Sequence, residues 1–404
     1  MSVVDFPVIR QCLSFLPLQD FVSPVLDYRT HKLTAAKLIK IFVSAQLLQW
    51  PSLSYISDTI RAESTLQQEF ELSSIHKSQL SRSINQLPVE VTEALFRSVV
   101  QQVCSHLPSR TEGMLALIDS TNIHLPFHLA DWTKVTKHRS GIKVHTRLMI
   151  INKDTAYPDK IVPSLGKISD YEGSDELVVD SDVTYVMDRG YVCYKRMQRW
   201  AADKLSFVIR VSNHHHAEVQ EERPLDPQTP HILRDAIVIM GKNAKTTMKE
   251  PLRLVEFQDS QGRFYRLATT LWDLSAAEVA EIYRQRWLIE LFFKWMKQHL
   301  KMARLYSHQP EAVWNHVFLA LVAYGLTFLM KQETGTKKNM WSLLQLVRVY
   351  ALKGWKAFQE EMKREPSRTS AGRRKREGPA PSRKVRASEV VMGKRTKQEK
   401  VKTK

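Results

Sequence analysis

Short apolar runs that alternate with helical segments constrain the fold of this chain most strongly. Residues 114–118 read MLALI, and such a continuous apolar run is typical of a central strand that is buried on both faces of a sheet. Further strand-like segments follow at 141–150, 184–188 and 205–212, and a helix-like segment lies at 194–204. Strands that alternate with helices predict an α/β sheet.

Composition and pattern divide the 404 residues into several parts. Residues 1–107 have apolar positions at helical spacing and predict an all-α N-terminal domain. Residues 108–335 predict the α/β core, with an inserted β subdomain at about 213–272, where strand patterns and turn signals recur. Residues 336–362 predict a C-terminal helix, and residues 363–404 predict a disordered basic tail that has almost no branched apolar or aromatic content.

The net charge of +18 is unevenly distributed along the chain. Residues 363–404 contain 16 lysines and arginines and 4 acidic residues, which gives this segment a net charge of +12. The remainder of the chain is only mildly basic. A separate polycationic segment predicts a polyanionic partner, and nucleic acid is the commonest one.

Three further features concern the compartment. The cysteines Cys12, Cys104 and Cys193 are scattered and form no C-x-x-C pair, which fits a reducing cytoplasm. The N-terminal residues lack the basic region of a signal peptide. The most apolar stretch, residues 317–330, is too short to cross a bilayer and predicts a buried helix. We therefore expect a cytoplasmic protein with no membrane partner.

Residues 75–87 predict a helix that ends before Pro88. Polar donors on its exposed face, among them Lys77 and Arg82, suit a recognition helix in a DNA major groove. An ordinary amphipathic helix packed in a bundle explains the same pattern and is slightly favoured. The N-terminal domain is thus a candidate for DNA binding on which both interpretations stay open.

Two aspartates follow apolar runs. Asp119 comes directly after residues 114–118, and Asp188 follows the run TYVM and precedes Arg189 and Gly190. A carboxylate at the end of a buried strand needs hydrogen-bond partners or a metal ion, because burial of an unpaired charge is costly. Either aspartate alone fits a strand-end turn residue. Together, in a basic protein, they predict that the two neighbouring strands bring their carboxylates to one point.

A long helix predicted over residues 281–305 carries one carboxylate within a row of cations. At about 100° per residue, six side chains fall within an arc of roughly 80°. We call this set the cationic face: Tyr283, Arg286, Glu290, Lys294, Lys297 and Lys301. A solvated face with ion pairs such as Arg286–Glu290 explains the charges. A phosphodiester site explains both the charges and the tyrosine, with the basic side chains on phosphates.

Three carboxylates, those of Asp119, Asp188 and Glu290, suit two Mg²⁺ or Mn²⁺ ions. Such an ion pair activates a water or 3′-hydroxyl nucleophile and stabilises the leaving oxygen of an in-line displacement. This chemistry needs no covalent enzyme intermediate, and the sequence offers no convincing serine or cysteine nucleophile. The residues therefore predict metal-dependent phosphodiester chemistry.

At this point the sequence resembles the transposases of the insertion-sequence-4 family. Tyr283, Arg286, Glu290 and Lys297 match the family's Y-(2)-R-(3)-E-(6)-K signature. The segment IDST around Asp119 resembles the first catalytic block of the family, and YVMDRGY around Asp188 resembles the second. The likeness covers roughly residues 110–330.

The resemblance implies an RNase H-like catalytic core with an inserted β subdomain, preceded by an all-α N-terminal domain. It implies that Asp119, Asp188 and Glu290 are the catalytic residues and hold two Mg²⁺ (or Mn²⁺) ions per active site. The residues that it implies for DNA contact are Tyr283, Arg286, Trp287, Lys294, Lys297 and Arg210. The implied partner is double-stranded DNA, both terminal inverted repeats and target DNA, bound by a dimer in the bacterial cytoplasm at the nucleoid.

Three functions fit these observations. The first is a cut-and-paste transposase that cleaves and joins DNA at the ends of its element. The second is a metal-dependent nuclease with the same core and no joining step. The third is a catalytically inactive DNA-binding protein descended from a transposase. The three carboxylates count against the third, and the separate N-terminal helices count against the second.

Overall fold

A ten-stranded sheet forms the centre of the protein. The structure is a computed structural model, and the residues that it describes are 5–18, 27–28, 32–107, 113–126, 128–152, 155–243, 246–300 and 305–364. The basic tail beyond residue 364, for which disorder is predicted, lies outside the described residues. The strands are β1 (Met114–His124), β2 (Lys134–Thr136), β3 (Arg139–Asn152), β4 (Thr155–Leu165), β5 (Val183–Met187), β6 (Ser206–Arg210), β7 (Ala217–Glu222), β8 (Ile232–Met240), β9 (Leu252–Gln258) and β10 (Phe264–Thr269).

The strand order is β2-β3-β1-β5-β6-β10-β9-β8-β7, and β4 is a further antiparallel partner of β3 outside this order. β1, β5 and β6 run parallel to one another, whereas β3 is antiparallel to β1. Every residue of β5 is buried, which is typical of a parallel strand that is covered on both faces. The mixed α/β architecture with a large central sheet is as the sequence predicts.

The strands predicted at about 213–272 are present as β7 to β10. They do not form a sheet of their own, because β10 pairs with β6 and thereby extends the central sheet. A buried ion pair between Arg253 on β9 and Asp235 on β8 fastens this extension. The same guanidinium donates to the carbonyls of Leu271 and Leu274, which lead into the next helix.

Twelve helices surround the sheet in the described part of the chain. They are α1 (Val8–Ser14), α2 (Ala35–Leu47), α3 (Leu53–Ala62), α4 (Ser64–Phe70), α5 (Lys77–Gln86), α6 (Val89–Ser105), α7 (Tyr194–Ala202), α8 (Ala276–Arg284), α9 (Trp287–His299), α10 (Pro310–Thr334), α11 (Met340–Tyr350) and α12 (Trp355–Lys363).

The N-terminal helices pack against α10, the longest helix. Buried polar groups fix this packing: Thr92 donates to Asn315, and the Asn315 amide donates to the carbonyl of Leu87 at 2.7 Å. Gln46 and His316 form a second buried contact at 3.0 Å. Helix α10 is long and apolar enough to cross a bilayer by length and composition, but 89% of its most apolar window is buried within the protein. It is the buried helix that residues 317–330 predict, extended at both ends.

The structure corrects three details of the predicted elements. Asp119 does not end its strand, since β1 continues to His124 as the partner of β3. The helix predicted over residues 281–305 is interrupted at Gln285 and Arg286, where amides bond to carbonyls three residues earlier. These tighter turns separate α8 from α9.

The third correction concerns residues 336–362, where two helices form in place of the single one predicted. The break includes Gly354, which lies so close to the N-terminal segment that a Cβ there would stand 1.9 Å from an oxygen of Asp5. The amide of Trp355 also donates to the Phe6 carbonyl at 2.8 Å. The helix is therefore interrupted at the point where Asp5 and Phe6 pack against Gly354 and Trp355.

Candidate active site

The sheet places Asp119 and Asp188 side by side. The parallel register of β1 and β5 ends with Ile118 opposite Met187. Asp119 and Asp188 are the residues that directly follow this last pair. Beyond this point β5 stops, whereas β1 continues along β3. The sequence-predicted convergence of the two carboxylates thus follows from the strand register, although only Asp188 lies at a strand end.

Arg286 connects Glu290 to the first aspartate. Its guanidinium forms an ion pair with Glu290, one helical turn later, and lies 3.4 Å from Oδ2 of Asp119. The Arg286 side chain is only 14% exposed, and its backbone lies at the break between α8 and α9. The Arg286–Glu290 ion pair named by the solvated-face interpretation is present, but this arginine is largely shielded from solvent and also contacts Asp119.

Tyr283 connects the same segment to the second aspartate. Its hydroxyl donates to Oδ1 of Asp188 at 3.3 Å. Burial, followed by the negative charge of Asp188, raises the pKa of Tyr283 well above its usual range. The phenol therefore stays protonated and remains a hydrogen-bond donor to the carboxylate.

The other members of the predicted DNA-contact set lie around this centre. Lys297 on α9 donates to the backbone carbonyl of Asn122 on β1 at 2.9 Å. Lys294 is exposed on the same helix, and Trp287 at its start is 57% exposed. Exposure of so large an indole beside a buried arginine leaves it free to stack on another flat ring. Lys301 lies outside the described residues.

Arg210 borders a cleft next to the site. Its guanidinium lies 4.7 Å from the centre of the Tyr265 ring, an arrangement that holds the charge over an aromatic face. The cleft encloses about 570 Å³. Its lining is rich in arginine and aromatic side chains: Arg210, Phe257, Asp259, Ser260, Arg263, Tyr265, Tyr283, Arg284, Arg286 and Trp287.

The Asp119 carboxyl lies in an unfavourable environment for a negative charge. Burial raises its pKa to about 6, and the nearby charges of Asp188 and Asp170 act in the same direction. A hydrogen bond from the Ser120 amide and the charge of Arg286 lower the pKa and offset part of this effect. Crowded carboxylates of this kind are stabilised by an added cation.

The donor chemistry of the site fits a divalent ion of the Mg²⁺ type. All three predicted ligands offer carboxylate oxygens, and the pKa of Asp119 is raised by burial and, to a smaller extent, by the charges of Asp188 and Asp170. In the described part of the chain no three acidic, histidine or cysteine side chains already stand at metal-ligand spacing. The Arg286 guanidinium lies between Asp119 and Glu290 and forms an ion pair with each.

Sequence reasoning missed a second layer of this site. Asp170, which precedes β5, accepts a hydrogen bond from the Ser120 hydroxyl at 2.7 Å. Lys143 on β3 donates to the same Asp170 oxygen at 3.0 Å. The available signal was the alternation of Lys143, His145 and Arg147 along the strand, which places three basic side chains on one face.

A family model described as "Transposase DDE domain" matches residues 110–326, more than half of the chain. Among similar proteins, a probable transposase for insertion sequence element IS5377 from Geobacillus stearothermophilus is 26% identical over 328 residues, covering 79% of this chain and 83% of the relative. A putative transposase for insertion sequence element IS4SA from Synechocystis sp. is 25% identical over 346 residues, covering 81% and 89%.

A solved structure of piggyBac transposase in a synaptic complex with hairpin DNA is also similar. It covers 91% of this chain and 83% of its own, at 10% sequence identity and a TM-score of 0.46. The match of the family model to residues 110–326 includes Asp119 on β1, Asp188 directly after β5 and Glu290 on α9. The chain therefore belongs to the DDE transposase family and is similar to the transposases of insertion sequences.

Proposed function

We propose that this chain binds the terminal inverted repeats of its own element and catalyses metal-dependent DNA cleavage and strand transfer at them. The observation that carries the proposal is the convergence of residues distant in sequence. Arg286 contacts both Asp119 and Glu290, and Tyr283 contacts Asp188. All of these residues belong to the signature or to the two aspartate blocks.

In this proposal Asp119, Asp188 and Glu290 are the catalytic residues and hold two Mg²⁺ or Mn²⁺ ions. Bound ions would activate the attacking water or 3′-hydroxyl and stabilise the leaving oxygen. The protein's own part is to hold the three carboxylates together. Tyr283 donates to Asp188 and fixes its orientation, and the ordered strands β1 and β5 fix the spacing of the two aspartates.

The DNA contacts are assigned to the basic and aromatic side chains around the site. Arg286 and Lys297 would hold phosphates beside the scissile bond, and Lys294 would reach the backbone farther along α9. Trp287 would stack on an unpaired base, a contact worth about 1–3 kcal/mol. Arg210, at the edge of the cleft, would add a phosphate contact.

The proposal extends to the remaining parts of the chain. The order β4-β3-β1-β5-β6, with antiparallel strands followed by parallel ones, supports an RNase H-like core with β7 to β10 inserted. The N-terminal helices, up to about residue 107, would bind the element's ends. We further propose that the chain acts as a dimer on double-stranded DNA, in the cytoplasm at the nucleoid.

A transposition assay tests this function. A marker gene flanked by the inverted repeats found beside the gene for this chain is supplied on a donor plasmid, and a second plasmid is the target. We expect insertions with flanking target duplications when the wild-type chain is expressed. Excision without insertion would favour a nuclease, and binding of the ends with no cleavage would favour an inactive DNA-binding descendant.

A further inference from the structure

Asp170 lies between the two segments that carry the catalytic aspartates. Its Oδ1 accepts from the hydroxyl of Ser120, the residue after Asp119, at 2.7 Å. On the other side, Asp170 packs against the backbone after Asp188, since a Cβ on Gly190 would stand 2.9 Å from Oδ2 of Asp170. The Asp170 carboxylate thus contacts Ser120, which follows Asp119, and lies against Gly190, which follows Asp188 by two residues.

Lys143 balances the charge of Asp170. The Lys143 side chain is 11% exposed, and its amine donates to Asp170 at 3.0 Å and to the carbonyl of Ile168 at 2.7 Å. Without this amine Asp170 would be a further uncompensated negative charge close to Asp119, since Ser120 contacts both carboxylates. The ammonium group therefore allows a structural carboxylate to lie in an acidic site.

The segment that carries Asp170, residues 166–182, is itself fixed to β3. The His145 ring packs on Gly173, where a Cβ would stand 2.4 Å from the ring. Arg147 forms ion pairs with Asp159 and Asp180 and donates to the carbonyl of Leu177. Lys143, His145 and Arg147 alternate along β3, so one strand face anchors the whole connection.

We propose that Lys143 and Asp170 are positioning residues for the catalytic centre. They act through Ser120, whose backbone amide donates to Oδ1 of Asp119 at 2.8 Å, and through the backbone at Gly190. The pair fixes how Asp119 and Asp188 face each other, as outer groups that orient metal ligands do in other sites. This inference rests on the proposed function, in which the two aspartates hold divalent ions.

Manganese binding to the full-length chain tests the pair without DNA. Mn²⁺ is titrated and its free fraction followed by electron paramagnetic resonance for the wild type, Asp170→Asn, Ser120→Ala and the double variant. We expect each single variant to weaken Mn²⁺ binding by about tenfold or more, the range for lost outer groups at metal sites. The double variant should resemble Asp170→Asn alone, because both changes break the same path.

Asp175→Asn is the matched control. Asp175 lies in the same connection but pairs with Arg196 and Arg199, whereas the contacts to Ser120 and Gly190 come from Asp170. We expect wild-type Mn²⁺ affinity in this variant. If Asp170→Asn leaves Lys143 unpaired and unfolds the chain, Lys143→Met/Asp170→Asn removes both charges and keeps the side-chain volume. Folded Lys143→Met/Asp170→Asn should then show the weakened Mn²⁺ binding that is expected of Asp170→Asn.

The outcomes separate the two proposals. Wild-type Mn²⁺ affinity in folded Asp170→Asn, or effects of Ser120→Ala and Asp170→Asn that simply add, would overturn the positioning role alone. A wild-type chain that bound no Mn²⁺ would contradict the metal site of the proposed function, and the positioning role would fall with it. Weakened binding in Asp170→Asn but not in Asp175→Asn supports the pair.

Discussion

Arg286 is the residue on which the geometry of the site depends most. Its side chain is 14% exposed and contacts two of the three carboxylates. A planar guanidinium reaches two acceptors in different directions, and a lysine amine at the same place does not. The contacts of Arg286 therefore follow from its shape as well as its charge.

Arg286→Lys separates shape from charge. We expect nicking of end DNA to fall by at least about tenfold, since the donor that we propose for the reacting phosphate would lose its fixed geometry while the charge remains. Thermal unfolding should change little, because a cation still faces Glu290. Arg234→Lys is the control, since Arg234 on β8 pairs with Glu222 and does not line the cleft beside the site. Equal loss in both variants would show that the effect is not specific to the site.

His145 predicts a pH dependence of stability. Burial lowers its pKa from 6.5 to about 4, so the folded protein holds it neutral while the unfolded chain binds a proton more readily. The stability that His145 contributes is complete above about pH 6.5 and is lost as the pH falls towards 4. The melting temperature of the wild type should decline over this range, and that of His145→Gln should decline less.

An exposed histidine provides the control for this measurement. His138→Gln changes a side chain at the surface and should retain the wild-type decline in melting temperature. If His145→Gln and the wild type lose stability in parallel between pH 6.5 and 4, protonation of His145 does not cause the decline in melting temperature.

At the scale of elements, the sequence predicts the apolar parts of the fold better than its polar parts. Residues 114–118 mark only the part of β1 that pairs with both β3 and β5. Its second half, from Asp119 to His124, alternates in burial and gives no apolar run. The sequence likewise gives no sign of the helix break at Gln285 and Arg286. Both residues keep helical backbone angles, so the break needs no glycine or proline.

Helix α5 supports a prediction about DNA-end binding. The structure confirms the helix, which begins at Lys77 and buries Leu80 and Ile84, while Lys77 and Arg82 are exposed. Lys77→Ala/Arg82→Ala should weaken binding of inverted-repeat DNA about tenfold or more with an unchanged melting temperature, since each residue would contact a phosphate or base edge.

The control for α5 is Arg97→Ala, which removes an arginine that is 71% exposed on α6. We expect wild-type affinity for inverted-repeat DNA in this variant, measured by fluorescence anisotropy. Wild-type affinity in the α5 variant as well would favour the interpretation of α5 as an ordinary bundle helix.

At the scale of the whole molecule, we predict that the basic tail increases the affinity of the chain for DNA of any sequence. Its 16 basic residues would release counterions from DNA phosphates, so its removal should flatten the salt dependence of binding. A chain truncated after Lys363 should bind DNA more weakly yet prefer inverted-repeat DNA over unrelated DNA as strongly as the full chain. Loss of that preference would show that the tail contributes to recognition of the inverted-repeat sequence.

Long-range polar contacts set the limit of sequence reasoning for the whole molecule. Asp119, Asp188 and Glu290 could be selected because each lies in a recognisable motif. Asp170 and Lys143 could not, since their role depends on a register that pairs β3 with β1 and on the path of residues 166–182. The packing of Asn315 against the carbonyl of Leu87 is likewise a property of the folded chain.

Cleavage of inverted-repeat DNA by the purified full-length chain tests the central claim most directly. Nicking at the element's end is measured with Mg²⁺, with Mn²⁺ and with EDTA, for the wild type and for Asp119→Ala, Asp188→Ala and Glu290→Ala. Asp175→Asn serves as the control for loss of an acidic residue outside the site. We predict that the wild type and the control cut with either metal and stop in EDTA, and that each of the three alanine variants folds, binds the DNA and does not cut. Undiminished cutting by any of the three, or cutting that persists in EDTA, would contradict the account.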